Sequence, residues 1–239
     1  VDSARPWPTL VVASALTLIC AVAAGVAGSA AGTELTRGPS TAELHAAARR
    51  ELAERWRAWP TGRIFPATLR YSAEQGGQER AKRIGISPHT SCAQSVDAEA
   101  ATALRAAGCR GVLRATYIDA LGGVLVTIGV VAMPDEKGAL HAKSAFSGNG
   151  EPEPGLRPLA FRGTVADRFT PAVRQAGSVR QAGPYLVLTT AGQVDGRPAD
   201  AVDEQRPAIF AFATEIAESV LSELSTPRMP DCTAEEWEC

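Results

Sequence analysis

The chain has 239 residues, with 24 Lys or Arg against 26 Asp or Glu and a formal net charge of −2. That balance argues against a nucleic-acid partner, and none is expected. With 45% hydrophobic and 21% charged residues, the composition is that of a globular chain.

The first element in chain order is an apolar run, Thr9 to Ala31. Arg5 is the last charge before it and Glu34 the first after it, leaving about 28 residues without a formal charge. A membrane-spanning helix needs roughly 20. Residues 9–31 are therefore expected to cross a lipid bilayer, with 1–8 a short cytoplasmic N-terminus and 32–40 a linker. A second reading stands beside this one. The Ala/Gly-rich end, with Gly28-x-Ala30 and Ser29-x-Ala31, also fits a signal-peptidase site, and cleavage there would release a secreted domain. Arg5 and Arg37 flank the run on opposite sides and do not choose its orientation.

Ser40 and Glu43 form a capping box that opens a membrane-proximal helix over 41–60. Leu44, Ala48, Leu52, Trp56 and Trp59 recur at helical spacing as one apolar stripe. The stripe must pack either on the chain's own domain or on a second copy, a homodimer contact through Trp56 and Trp59. Residues 61–226 are expected to form an extracytoplasmic α+β domain, and 227–239 an acidic tail.

Within that domain, Ile64 to Tyr71 reads as a strand. Polar residues 72–83 then lead to a loop, and Ser95 or Asp97 caps a helix ending at Gly108. Val112 to Asp119 and Val124 to Met133 read as a hairpin turning at Leu121-Gly122-Gly123. Its second strand is apolar on both faces and should be central. Pro134-Asp135-Glu136 opens a helix reaching about Phe146, and 148–155 is a flexible Gly/Pro-rich loop. Leu159 to Val165 and Tyr185 to Gln193 read as two more strands. Between them the sequence Arg-Gln-Ala-Gly occurs twice, at 174–177 and 180–183, as loop chemistry. A last helix opens at Pro207 and carries Ile209, Phe212, Ile216, Val220 and Leu224 on one face. The order predicts a mixed or antiparallel sheet with helices packed mainly on one face.

Cys20 lies in the apolar run. The other four cysteines, Cys92, Cys109, Cys232 and Cys239, are disulfide candidates, and an even number suits an oxidising compartment. The local pairing Cys92–Cys109 with Cys232–Cys239 must overcome a helix about 18 Å long between the first two. The other pairings staple the tail to the body. Oxidised cysteines would put the domain outside the cell, single-pass behind its anchor.

No nucleotide-binding, zinc-protease or serine-hydrolase motif occurs, and no catalytic, cofactor or metal residue is assigned. His45 and His141 sit on predicted helix surfaces. His89, beside Ser87, Thr90, Ser91 and Cys92, is the one place resembling a nucleophile–base cluster. Asp119, Asp167 and Asp195 fall at strand ends or turns.

The segments Gly62–Pro66, Gly108–Asp119, Val126–Asp135 and Gly183–Pro198 resemble a group of uncharacterised membrane-anchored proteins of actinobacteria, over roughly residues 40–225. That resemblance implies no activity or catalytic residue. A disulfide-bearing sheet after an N-terminal anchor is also similar in architecture to the extracellular sensor domains of mycobacterial serine/threonine kinases. No kinase domain is expected on the cytoplasmic side, where only about eight residues precede the apolar run, so sensing would require a partner. The expected function is a tethered binding or accessory domain contacting a protein or envelope component. The alternatives are a tethered hydrolase using His89 or the strand-end aspartates, and a small-ligand binder with a cavity gated by loop 148–155.

Overall fold

A computed structural model describes residues 7–148, 150–198 and 207–231. Its contacts divide the chain into two units, one ending at His45 and the other beginning at Ala46.

The first unit is dominated by helix α1 (Trp7–Thr36). Its stretch Val11–Ser29 has a mean hydropathy of 2.2 over 19 residues, and none of it is buried. At 1.5 Å per residue, 19 residues rise about 28 Å, close to the hydrocarbon thickness of a bilayer. Two of its hydroxyls bond inside the helix: Thr17 donates to the Ala13 carbonyl at 2.7 Å, and Ser29 to Val26 at 2.9 Å. That is the arrangement a lipid environment demands of polar groups. The helix continues to Thr36, so the first part of the expected linker 32–40 is helical. The capping box is present: Ser40 N donates to Glu43 Oε2 at 2.7 Å, and Glu43 N to Ser40 Oγ at 3.4 Å. Two Arg37 bonds of 2.8 Å, together with those from Ser40, hold the Glu43 carboxyl well below the usual range.

The second unit is an α+β domain built on a six-stranded antiparallel sheet. Its strands are β1 (Thr68–Ser72), β2 (Gln78–Ile86), β3 (Gly111–Ile118), β4 (Val124–Ala132), β5 (Ala176–Ala182) and β6 (Tyr185–Gln193). Their spatial order is β1-β2-β3-β4-β6-β5. The hairpin expected from sequence is β3–β4, in register from Gly111 opposite Ala132 to Ile118 opposite Leu125. Asp119 closes its turn, its Oδ1 accepting from Gly123 N and Val124 N. Gly122, at φ +74°, takes the left-handed conformation the turn requires. Every residue of β4 is buried, as expected of a central strand.

Alternation sorts the sheet into two faces. Ala115, Tyr117, Val126, Ile128, Val130, Tyr185 and Val187 point to the larger core. There they meet α7 (Ala211–Ser225), α3 (Thr61–Ile64) and, through Trp56 and Trp59, α2 (Thr41–Ala58). The tryptophan stripe thus packs on the chain's own domain. Val112, Val131, Met133, Leu186 and Val179 point the other way, onto α5 (Ala98–Ala106) and α6 (Glu136–Lys143). Asp135 caps α6 by accepting from Gly138 N at 2.7 Å.

Four expected elements differ. The strand expected over 64–71 starts at Thr68, because residues 61–64 form the single turn α3 after Pro60. Residues 78–86, expected to lead into a loop, are strand β2, whose charged sequence buries fully only Ala81 and so hides its period. Residues 159–165 are not a strand. That segment crosses the sheet's second face and is tied to it by side chains: Thr127 Oγ1 accepts from Leu159 N at 3.0 Å, and Thr116 Oγ1 donates to Leu159 O at 2.8 Å. The missing strand is β5, which lies between the two Arg-Gln-Ala-Gly copies and overlaps both. Arg174 of the first copy is buried, whereas Arg180 of the second reaches Glu218 on α7.

Cys92 and Cys109 form a disulfide with Cα atoms 6.5 Å apart. The helix between them does not prevent it. α4 (Cys92–Ser95) is a separate turn, extended Val96 breaks it from α5, and Val112 N bonds to Thr90 O at 2.9 Å, which draws residue 92 back beside the end of α5. Cys232 and Cys239 lie outside the described residues. Replacing Cys92 and Cys109 by Ser is expected to cost about 3 kcal/mol, from the freed loop entropy of the unfolded chain. Urea unfolding of the parent chain and the variant, without reductant, measures it.

Candidate functional site

A cleft of about 680 Å³ opens at the end of the sheet where the β1–β2 turn, the β3–β4 turn and the start of α7 meet. This volume lies within the range of ligand-binding sites. Its apolar lining is Tyr71, Val124, Ile209 and Phe212, with the rings of Tyr71 and Phe212 4.9 Å apart between centroids. Tyr71 points inward because β1 alternates, burying Leu69 and Tyr71 while exposing Thr68, Arg70 and Ser72. At the mouth stands Leu121, the tip of the β3–β4 turn, 85% exposed.

The cleft's charge has one sign. Glu74, Glu79 and Asp119 line it, and no Lys or Arg does among the described residues. Two of these carboxylates have structural partners as well. Asp119 holds its turn, and Glu79 accepts from the Tyr71 hydroxyl at 2.5 Å, while that hydroxyl accepts from Ala120 N at 3.0 Å. Burial, then the Glu79 carboxylate, pushes the Tyr71 phenol up to about 12, so it remains a protonated donor at neutral pH. Glu215 of α7 fixes the wall by accepting from Ser72 N at 2.8 Å and Ser72 Oγ at 3.1 Å.

A second cleft, of about 370 Å³, lies between β5, β6 and α7. Ser178, Thr189 and Thr214 line it, and Gly150, Glu151 and Pro152 border it. That places it at the sheet–helix position expected for a small-ligand cavity beside loop 148–155.

No family model, curated protein or solved structure matches this chain. The site therefore has to be read from its own residues. The other sequence candidates do not converge. His45, His89 and His141 are all exposed. The Ser87 hydroxyl is spent on the main chain of His89, accepting from its N at 3.0 Å and donating to its O at 3.1 Å. Cys92 is oxidised. Of the three strand-end aspartates only Asp119 lines the large cleft; Asp167 is exposed and Asp195 is bonded to Arg197. Among the described residues no group of three or more His, Cys, Asp or Glu is arranged to hold a metal ion.

Sequence reasoning overlooked Glu74 and Glu79 because β2 was not recognised as a strand. Once β2 pairs with β1, Glu79 falls opposite Tyr71. The signal available was Tyr71 itself, an aromatic residue alternating with Leu69.

Proposed function

We propose that this chain is a membrane-tethered, extracytoplasmic binding domain that takes a short segment of a protein or envelope partner into the large cleft. The segment would combine an apolar side chain with a positive charge. The observation that carries this reading is the cleft's pairing of an aromatic and aliphatic floor with carboxylates of one sign. An apolar anchor gains affinity from the floor, and the carboxylates steer and select a cationic neighbour. Helix α1 supports the tether, and the Cys92–Cys109 disulfide suits an oxidising compartment. A small polar ligand in the second cleft is the alternative, favoured by its hydroxyl lining.

A photo-crosslinking residue at position 121 of the full chain, in its native membrane, tests the reading. The captured peptide is expected to carry an apolar residue next to Lys or Arg. Glu74→Lys should reduce the yield several-fold, because it sets a like charge against the ligand. An acidic captured peptide, or equal capture from exposed Leu140, would overturn it. A secreted-phosphatase fusion after residue 231 checks the orientation: activity is expected, and an inactive fusion would place the domain inside.

A further inference from the structure

Three arginines in the domain are almost wholly buried: Arg55 (0% exposed), Arg174 (5%) and Arg114 (8%). Burying a guanidinium is expensive unless it is paired and hydrogen-bonded. Arg55 is paired with Glu51, and Arg174 with Asp97 and Glu153. Arg114 differs, for it has no carboxylate partner among the described residues. Its one side-chain hydrogen bond there runs from Nη1 to the Arg157 carbonyl, at 3.3 Å. Its Nε is buried without a partner.

The position is set by the fold. Arg114 lies mid-strand on β3, on the face away from α7, directly opposite Gly129 of β4. Leu156 packs over that glycine so closely that a Cβ there would lie 2.5 Å from Leu156 Cδ1. The same stretch of chain then supplies the Arg157 carbonyl. An Arg in the middle of an apolar strand, held under a crossing segment, is a costly placement, and no carboxylate among the described residues offsets it. Burial, then Arg157, lowers the Arg114 pKa from its ordinary value.

We propose that Arg114 is an oxyanion-binding site, in which the Nε–Nη2 edge of its guanidinium grips one carboxylate or phosphate group, with the charge of Arg157 assisting. Nη1 is committed to a carbonyl, and the opposite edge is the fork that matches two oxygens of one anion. The site lies on the sheet face opposite α7 and is independent of the acidic cleft, whose charge would repel the same ligand. The oxyanion comes either from a small solute or from an anionic lipid headgroup, and both present the same chemistry.

The test uses the full chain in a nonionic detergent, titrated with inorganic phosphate against sodium chloride at matched ionic strength. The readouts are the Nε–H resonance of Arg114, assigned through its own side chain, and the thermal midpoint. A saturable shift of that resonance with a rise in the midpoint is expected. Arg157→Gln should weaken the apparent affinity several-fold. Arg114→Met should abolish the rise in midpoint while leaving the fold intact, since it replaces an unpaired buried charge by an apolar chain. In parallel, nanodiscs of phosphatidylcholine with and without phosphatidylglycerol identify the source. A shift with phosphate alone indicates a solute, and one only with phosphatidylglycerol indicates a headgroup. If the Arg114 resonance moves with neither, or if the midpoint of Arg114→Met rises as much as that of the parent, the anions bind elsewhere and the proposal falls. Should Arg114→Met fail to fold, the resonance titration and Arg157→Gln decide the matter alone.

Discussion

Arg55→Ala is expected to destabilise the domain by about 3–5 kcal/mol, the range for breaking a buried ion pair from one side. The side chain is fully buried on α2. Its Nε and Nη2 bond to Glu51 at 2.7–2.9 Å, and its Nη1 donates to the carbonyls of Leu224 at 2.8 Å and Thr226 at 2.7 Å. The last carbonyls of a helix have no partner within it, and the negative end of its dipole favours a cation. Arg55 serves α7 in both respects. Its guanidinium also lies 4.9 Å from the Trp59 ring centroid, and that of Arg63 lies 3.5 Å from it. Alanine leaves Glu51 and two carbonyls without their donor at once. Arg55→Lys should recover only part of the loss, since one ammonium cannot reproduce the fork. Urea unfolding of the full chain in detergent, followed by tryptophan fluorescence, measures the change. A loss below about 1 kcal/mol, within the range of exposed pairs, would show that α2 does not brace α7. The expected result also makes α2 a part of the folded domain, so that removing it should unfold the sheet.

The second large effect is expected at Arg174, again about 3–5 kcal/mol on replacement by Ala. Its guanidinium bonds to Asp97 at 2.8 Å, to Glu153 at 2.5 Å and to the carbonyls of Pro171, Pro152 and Leu156 at 3.2–3.4 Å. Asp97 in turn accepts from Gly155 N at 2.9 Å. One side chain thus ties α5, loop 150–156 and the lead into β5 together. The backbone there fits closely: a Cβ at Gly177 would lie 2.8 Å from the Glu151 carbonyl. Asp97→Asn should cost less than Arg174→Ala, because Glu153 and the carbonyls still hold the guanidinium. Hydrogen exchange provides a local check. Amides of 150–156 should exchange faster in Arg174→Ala while those of α7 keep their protection, and equal loosening of both would refute this account of the hub.

The large cleft and the Arg114 site differ in how they were hidden. Asp119, Leu121 and Phe212 were legible from the sequence as turn, tip and inward helix face, yet nothing local indicated that they meet. Their meeting depends on the antiparallel order of β1 through β6, which returns α7 to the end of the sheet. Arg114 is a charge inside the apolar strand Val112 to Asp119, a position that the sequence reading passes over. What made it informative was the company of Arg55 and Arg174, whose partners lie across the fold or in a neighbouring turn.

By itself the sequence determined the elements whose cause is local. The uncharged apolar stretch of α1, the Ser40–Glu43 box, the Asp135 cap and the β3–β4 hairpin each follow from residues only a few positions apart. The tertiary structure alone decided β2 and β5. Their side chains are mostly polar or small, and their strand character comes from hydrogen bonds to neighbours rather than from a hydrophobic period. It also decided that 156–161 crosses a sheet face instead of joining an edge, because Gly129, Thr116 and Thr127 leave room and hydrogen bonds there. Above all, it decided which buried arginine has a carboxylate among the described residues and which has none there. Charge pairing depends on distances in space, and those are set only once the chain has folded.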